Sequence, residues 1–132
     1  MYWGAAEPIA ITVLKRKPDT VVGTIRNIYF SNIFCHSENG ILLYGEEPGQ
    51  ISDITFDNVR INLYNETRHE KGNHDLRPNT GVPNPPRALC FVHGHKASDV
   101  RFSNCRFSLE ESAESEFAQD YVLNGCENFK WL

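Results

Sequence analysis

The sequence predicts an all-β fold, a parallel β-helix or solenoid of about three coils with one long inserted loop. Three observations predict it. A nine-residue phrase repeats: IRNIYFSNI at 25–33, ISDITFDNV at 51–59 and ASDVRFSNC at 97–105, with a fragment, ENFKW, at 127–131. Apolar residues alternate with period two on either side of the Asn near the end of each phrase, as in a strand with one buried face. No stretch carries a helical period.

The elements follow in order. Residues 8–14 (PIAITVL) alternate and form a first strand. Within 25–35 the apolar residues sit at even positions before the Asn (Ile28, Phe30) and at odd positions after it (Ile33, Cys35). That change of parity marks a corner, and Asn tolerates the left-handed backbone a tight corner requires. Residues 40–45 (GILLYG) form the next strand and end in Gly. Residues 51–63 repeat strand, corner, strand, with Ile54 and Phe56 before Asn58 and Val59, Ile61 and Leu63 after it. The stretch 65–86 is polar, rich in Pro and Gly and without period, so it reads as a loop inserted into one coil. As a surface insertion it is expected to be removable without loss of the β framework. Residues 88–94 echo the GILLYG strand, residues 97–109 repeat the corner unit through Val100, Phe102, Cys105, Phe107 and Leu109, and 120–125 echo GILLYG once more before ENFKW.

The spacing supports stacking. Phe30 and Phe56 are 26 residues apart, Phe56 and Phe102 are 46 apart, and Val100 and Phe129 are 29 apart. The excess in the middle interval falls on the loop. Corresponding residues of stacked coils form ladders about 4.8 Å apart. A β-sandwich is the alternative for short strands at regular spacing, but it gives no reason for one motif to recur at equivalent places.

The 132 residues suffice for one domain. A net charge of −4 argues against a nucleic-acid surface, and no apolar run is long enough for a transmembrane helix. The N-terminus lacks the basic start and apolar centre of a signal peptide. Cys35, Cys90, Cys105 and Cys126 form no CxxC pair and match no zinc spacing. The first three fall at positions the repeat makes apolar, which favours buried free thiols over disulfides. Neither end carries a capping helix, and solenoids need caps. The chain 1–132 is therefore expected to be one segment cut from a longer β-helix, or to associate with itself through its end coils.

The phrase EPIAI at 7–11, the repeat at 25–33 and SENGILLYG at 37–45 together resemble the C-terminal half of polygalacturonase-like proteins. These are the pectin-degrading glycoside hydrolases of family 28, within the pectate-lyase-like superfamily. HDLRP at 74–78 is similar to bacterial members. The resemblance implies a right-handed parallel β-helix, of which this segment is the C-terminal part, and a secreted or periplasmic parent enzyme that cuts uronic-acid glycosides by inverting hydrolysis. No cofactor is implied. The family's signatures are Asn-Thr-Asp, Asp-Asp, Gly-His-Gly and Arg-Ile-Lys, and this chain departs from all four. It has no Asp-Asp, Gly81 follows Asn79-Thr80, His93-Gly94-His95 inverts the Gly-His order, and Arg60-Ile61-Asn62 only mimics the last. No catalytic residue carries over, and the isolated chain is expected to be inactive.

Contacts to a polysaccharide or oligosaccharide remain to be placed. Trp3 and Glu7 precede the first strand, Glu38 and Asn39 hold the same place before Gly40, and Tyr44 closes that strand. Stacking of the two strands would bring Glu7 and Glu38 to one rim; ordinary turn residues are the alternative. In the loop, His74 and Arg77 are candidates for an anionic sugar, because long ordered loops on rigid scaffolds often carry function and Arg pairs carboxylates bidentately. A salt bridge from Asp75 to Arg77 that pins the loop is the competing role. His69 with His74, or His93 with His95 on one strand face, suggests a metal site, but no third ligand is evident. Two rival readings stand beside the hydrolase: a non-catalytic carbohydrate-binding or structural module, and a polysaccharide lyase, whose Ca²⁺ cage these scattered carboxylates do not suggest.

Overall fold

The computed structural model describes residues 5–132. Nine strands are described: β1 (Ala10–Val13), β2 (Ile25–Ser37), β3 (Ile41–Gly45), β4 (Ile51–Leu63), β5 (Val92–His95), β6 (Ala97–Ser103), β7 (Arg106–Leu109), β8 (Tyr121–Asn124) and β9 (Glu127–Trp131). A single 3₁₀ turn at Glu111–Ala113 is the one helical element among the described residues. The fold is all-β. The strands form two sheets in which every pairing is parallel, β1-β3-β5-β8 and β2-β4-β6-β9. β7 joins the second sheet beside the later half of β4. The chain passes from one sheet to the other and back, so each pass adds a strand to both.

The repeat sets the register. Ile28 pairs with Ile54, Ile54 with Val100 and Val100 with Phe129; Phe30, Phe56, Phe102 and Trp131 form the neighbouring row. Those aromatic rings stack at 5.0, 4.8 and 4.2 Å between centroids, within 11° of parallel. After the corner, Ile33 and Cys35 lie beside Val59 and Ile61, and Ile61 and Leu63 beside Phe107 and Leu109. These residues, with Ala97 of β6 and Leu43 and Val92 from the first sheet, make one apolar core.

The Asn corners adopt the left-handed backbone, with φ of 58° at Asn32, 55° at Asn58 and 53° at Asn104. A second left-handed position lies earlier in each phrase, at Asn27, Asp53, Asp99 and Asn128. The sequence reading passed over it. Both positions take Asn or Asp, the residues whose short polar side chains make this conformation tolerable. Neither position is paired in the register between β2 and β4, so each bends the strand without breaking the ladder. Asn58 Nδ2 donates to Asn32 Oδ1 at 2.9 Å, and Asn128 Nδ2 to Asp99 Oδ1 at 2.7 Å.

One expected alignment changes. Gly94 does not close its strand as Gly45 does; it pairs with Leu43, inside β5. A Cβ there would meet Cys126 Sγ at 3.0 Å and Leu123 Cδ2 at 3.1 Å, so any larger residue would have to push these side chains aside. Gly40 is tighter still, because a Cβ there would lie 2.0 Å from the Cys90 carbonyl oxygen.

The loop is not a loose excursion. Leu76 packs on Leu42 and Tyr44 of the outward face of β3, and Lys71 and His74 are each 2% exposed. The loop covers part of the first sheet, so its removal would uncover Leu42 and Tyr44. The apolar residues left exposed gather on β2 (Ile28, Tyr29, Phe34) and at the chain's last residues (Trp131, Leu132), apart from Val21 and Leu123. The four cysteines are free thiols; Cys90 is buried, and burial pushes its pKa up to about 12.

Candidate functional site

Alternation along β3 and β5 decides which side chains face out from the first sheet. Ile41 and Leu43 turn inward with Val92, so Leu42, Tyr44, His93 and His95 turn outward. The register then sets two rows across four strands. Ala10, Leu42, His93 and Val122 form one; Thr12, Tyr44, His95 and Asn124 form the other.

The loop closes over the first row. The His74 ring meets His93 edge-on at 5.0 Å between centroids, and His74 Nδ1 lies 2.6 Å from Glu7 Oε1. His93 is 2% exposed and neither of its ring nitrogens has a hydrogen-bond partner; His74 Nε2 also has none. Burial, with lesser contributions from His74 and His95, holds the pKa of His93 down to about 4. The imidazole is therefore neutral at physiological pH.

The second row is more open. His95 lies flat on Tyr44, 4.1 Å between centroids and 4° from parallel, and its Nδ1 sits 2.8 Å from the Gly45 carbonyl oxygen. That contact makes Nδ1 the protonated nitrogen of the neutral ring and leaves Nε2 as an acceptor. Tyr44 itself is buried beneath His95 and Leu76.

The other candidates divide between loop anchors and surface. Glu38 Oε1 accepts from the backbone N–H groups of Glu66 and Thr67, each at 2.9 Å, and its Oε2 accepts from the Thr67 hydroxyl at 2.8 Å. Lys71 Nζ lies 3.2 Å from Glu38 Oε1, and the pair is 2% and 9% exposed. Desolvation pushes the Glu38 carboxyl up, but the hydrogen bonds from Thr67, Glu66 and Lys71 outweigh it and bring its pKa to about 2. Lys71 also donates to the carbonyl oxygens of Thr67 and His69. Glu7 and Glu38 thus both turn to the loop, and each holds a different part of it. Asn39 joins them, donating from Nδ2 to the carbonyl oxygens of Ala5 and Asn73. Arg77 is exposed, and its guanidinium grips Asp75 through Nε at 2.8 Å and Nη2 at 2.6 Å, the pinning salt bridge weighed from the sequence. That bond holds Asp75 down to about 2. Trp3 lies outside the described residues. Among the described residues no group of three His, Cys, Asp or Glu side chains is placed to hold a metal ion.

Sequence reasoning also passed over the outer face of the second sheet. Phe34, Arg60 and Arg106 form one row there, and His36, Asn62 and Ser108 the next. Together with Cys35 and Ile61 they line an open groove of about 520 Å³. The signal was available in the residues between the apolar ones after each corner, which parity sends outward.

No protein-family model, curated protein or solved structure matches the chain. No helix among the described residues is long and apolar enough to cross a membrane.

Proposed function

We propose that the chain is a stretch of right-handed parallel β-helix from a polygalacturonase-like protein acting on uronic-acid polysaccharide, and that its own part is to bind saccharide rather than cleave it. The observation that carries this reading is the register: the very phrases that resemble the family stack as neighbouring rungs of two parallel sheets, which the chain visits in alternation. Stacked repeats of one unit around a shared core are what a solenoid requires.

The sugar-binding part is supported by the row Thr12, Tyr44, His95 and Asn124, which sets an aromatic platform between two exposed hydrogen-bonding side chains. Arg77 stands on the loop next to Leu76, which packs on Tyr44. The absence of cleavage has a geometric basis. Inverting hydrolysis needs two carboxyl groups roughly 6.5–9.5 Å apart across the scissile bond. The two outward rows of the first sheet contain no carboxylate, and Glu7 and Glu38 beside them are engaged by His74 and by Thr67 and Lys71.

Two measurements on the purified chain test the reading. It is expected to bind polygalacturonate in affinity electrophoresis, more weakly as His95→Ala, and to release neither reducing ends nor unsaturated products. Retardation by none of the polysaccharides tried, acidic or neutral, would sink the saccharide reading. Release of reducing ends would refute the non-catalytic assignment. NMR contacts between Ile28, Ile54 and Val100 test the stacked rungs, and their absence would count against the solenoid.

A further inference from the structure

We infer that the groove on the outer face of the second sheet is a separate binding site for a carboxylated saccharide, gripped by Arg60 and Arg106. The inference rests on the saccharide reading above but concerns another face of the molecule.

The geometry is set by parity. Val59, Ile61 and Leu63 turn into the core, so Arg60 and Asn62 turn out; Phe34 and His36 do the same on β2, and Arg106 and Ser108 on β7. Phe34, Arg60 and Arg106 are thus neighbours across three adjacent strands, spaced about 4.8 Å apart. Among the described residues no carboxylate pairs with either arginine. The nearby acid, Glu110, is taken by His36 at 3.0 Å, and the His36 ring is held against Tyr64 at 4.0 Å. Like charges set opposite each other on neighbouring strands repel. An anion bridging the two guanidinium forks relieves that repulsion, and the planar fork matches a carboxylate in two parallel hydrogen bonds.

The rest of the groove speaks for a sugar as the carrier of that carboxylate. Phe34 is 65% exposed and carries the Arg60 guanidinium over its ring, 4.9 Å from the centroid, which sets a cation beside exposed aromatic surface. A pyranose ring has the same two-sided character, an apolar C–H face and a polar rim. Asn62 Nδ2 donates to Ser108 Oγ at 2.9 Å, leaving Asn62 Oδ1 to accept and the Ser108 hydroxyl to donate towards ring hydroxyls. The volume of about 520 Å³ lies within the range of about 300–1,000 Å³ usual for small-ligand sites. A polynucleotide fits less well: the chain carries a net charge of −4, and Glu110, paired with the groove residue His36, adds an acid nearby.

The test is an amide-resolved NMR titration of the whole chain with trigalacturonate, its fully methyl-esterified form and a short single-stranded oligonucleotide. Trigalacturonate is expected to shift the signals of Phe34, Arg60, Asn62 and Arg106 in a saturable manner. Arg60→Gln with Arg106→Gln is expected to weaken that site by roughly tenfold to a hundredfold, as loss of charge-assisted hydrogen bonds implies. Either single Arg→Lys variant, which keeps the charge and loses the fork, is expected to fall between. All of these changes are at two exposed positions, Arg60 and Arg106, and retained spectral dispersion verifies the fold. Shifts confined to the Tyr44–His95 face would overturn this site while leaving the proposed function standing. No shift anywhere would overturn both. Equal response to the esterified sugar would refute the role of the carboxylate, and tighter response to the oligonucleotide would replace the saccharide with nucleic acid.

Discussion

Acidification is predicted to weaken the fold through His93, and the size of the effect follows from its burial. The imidazole is 2% exposed, has no hydrogen-bond partner on either nitrogen, and faces His74 from the loop and His95 from its own strand, with Glu7 beyond His74. Burial lowers its pKa from 6.5 to about 4. The unfolded chain therefore takes up this proton at higher pH than the folded one. The stabilisation is complete above pH 6.5 and is lost as pH falls towards about 4. At about 1.4 kcal/mol per unit, a difference of about two and a half units amounts to roughly 3 kcal/mol, a large share of the ~5–15 kcal/mol that holds a typical domain together. The assay is urea unfolding followed by far-UV circular dichroism at a series of pH values through that window. His93→Phe, which keeps an aromatic ring of similar size against His74, is expected to flatten the slope. An unchanged slope in the variant, or a His93 titration by NMR close to 6.5, would refute the reasoning.

Other expectations follow from the same packing. Phe56→Ala removes the ring stacked between Phe30 and Phe102 and is expected to cost about 3–5 kcal/mol in denaturant unfolding; a loss below about 1 kcal/mol would show that the aromatic ladder is not core. Gly40→Ala forces a methyl group against the Cys90 and Phe91 carbonyl oxygens and is expected to destabilise by about 1–3 kcal/mol or more, read as a lower midpoint. Glu38→Gln breaks one partner of a buried ion pair and is expected to cost about 3–5 kcal/mol. Because its folded pKa is depressed to about 2, the Glu38 contribution is present above pH 4.5 and lost below it, a lower window than that of His93. Deleting residues 65–86 uncovers Leu42, Tyr44 and His93 and is expected to lower the midpoint and increase dye binding to exposed apolar surface; an unchanged midpoint would restore the view of the loop as a passive insertion.

The sequence by itself determined the β rungs. Ile/Val, Phe and Asn recur at fixed places in 25–33, 51–59 and 97–105, and period-two alternation needs no knowledge of the rest of the chain to say which side is buried. The aromatic ladder, the left-handed Asn corners and the shared outward face of His93 and His95 were legible for that reason. The early left-handed row at Asn27, Asp53, Asp99 and Asn128 was equally present in the repeat, and it shifts the parity as the later corner does, from Ile51 and Ala97 before it to Ile54 and Val100 after it. It was overlooked because only one apolar residue of each full phrase precedes it. The tertiary structure alone decided what the aperiodic loop does. Residues 65–86 have no repeat to align them, so nothing local says that Leu76 lands on Tyr44, that Lys71 and Thr67 capture Glu38, or that His74 covers His93. Those contacts join residues up to 67 positions apart, as Glu7 and His74 are, and they depend on which rung each end of the loop leaves and rejoins. The same holds for the Phe34, Arg60 and Arg106 groove: each outward residue is readable from its own strand, but their adjacency exists only once the strands are in register.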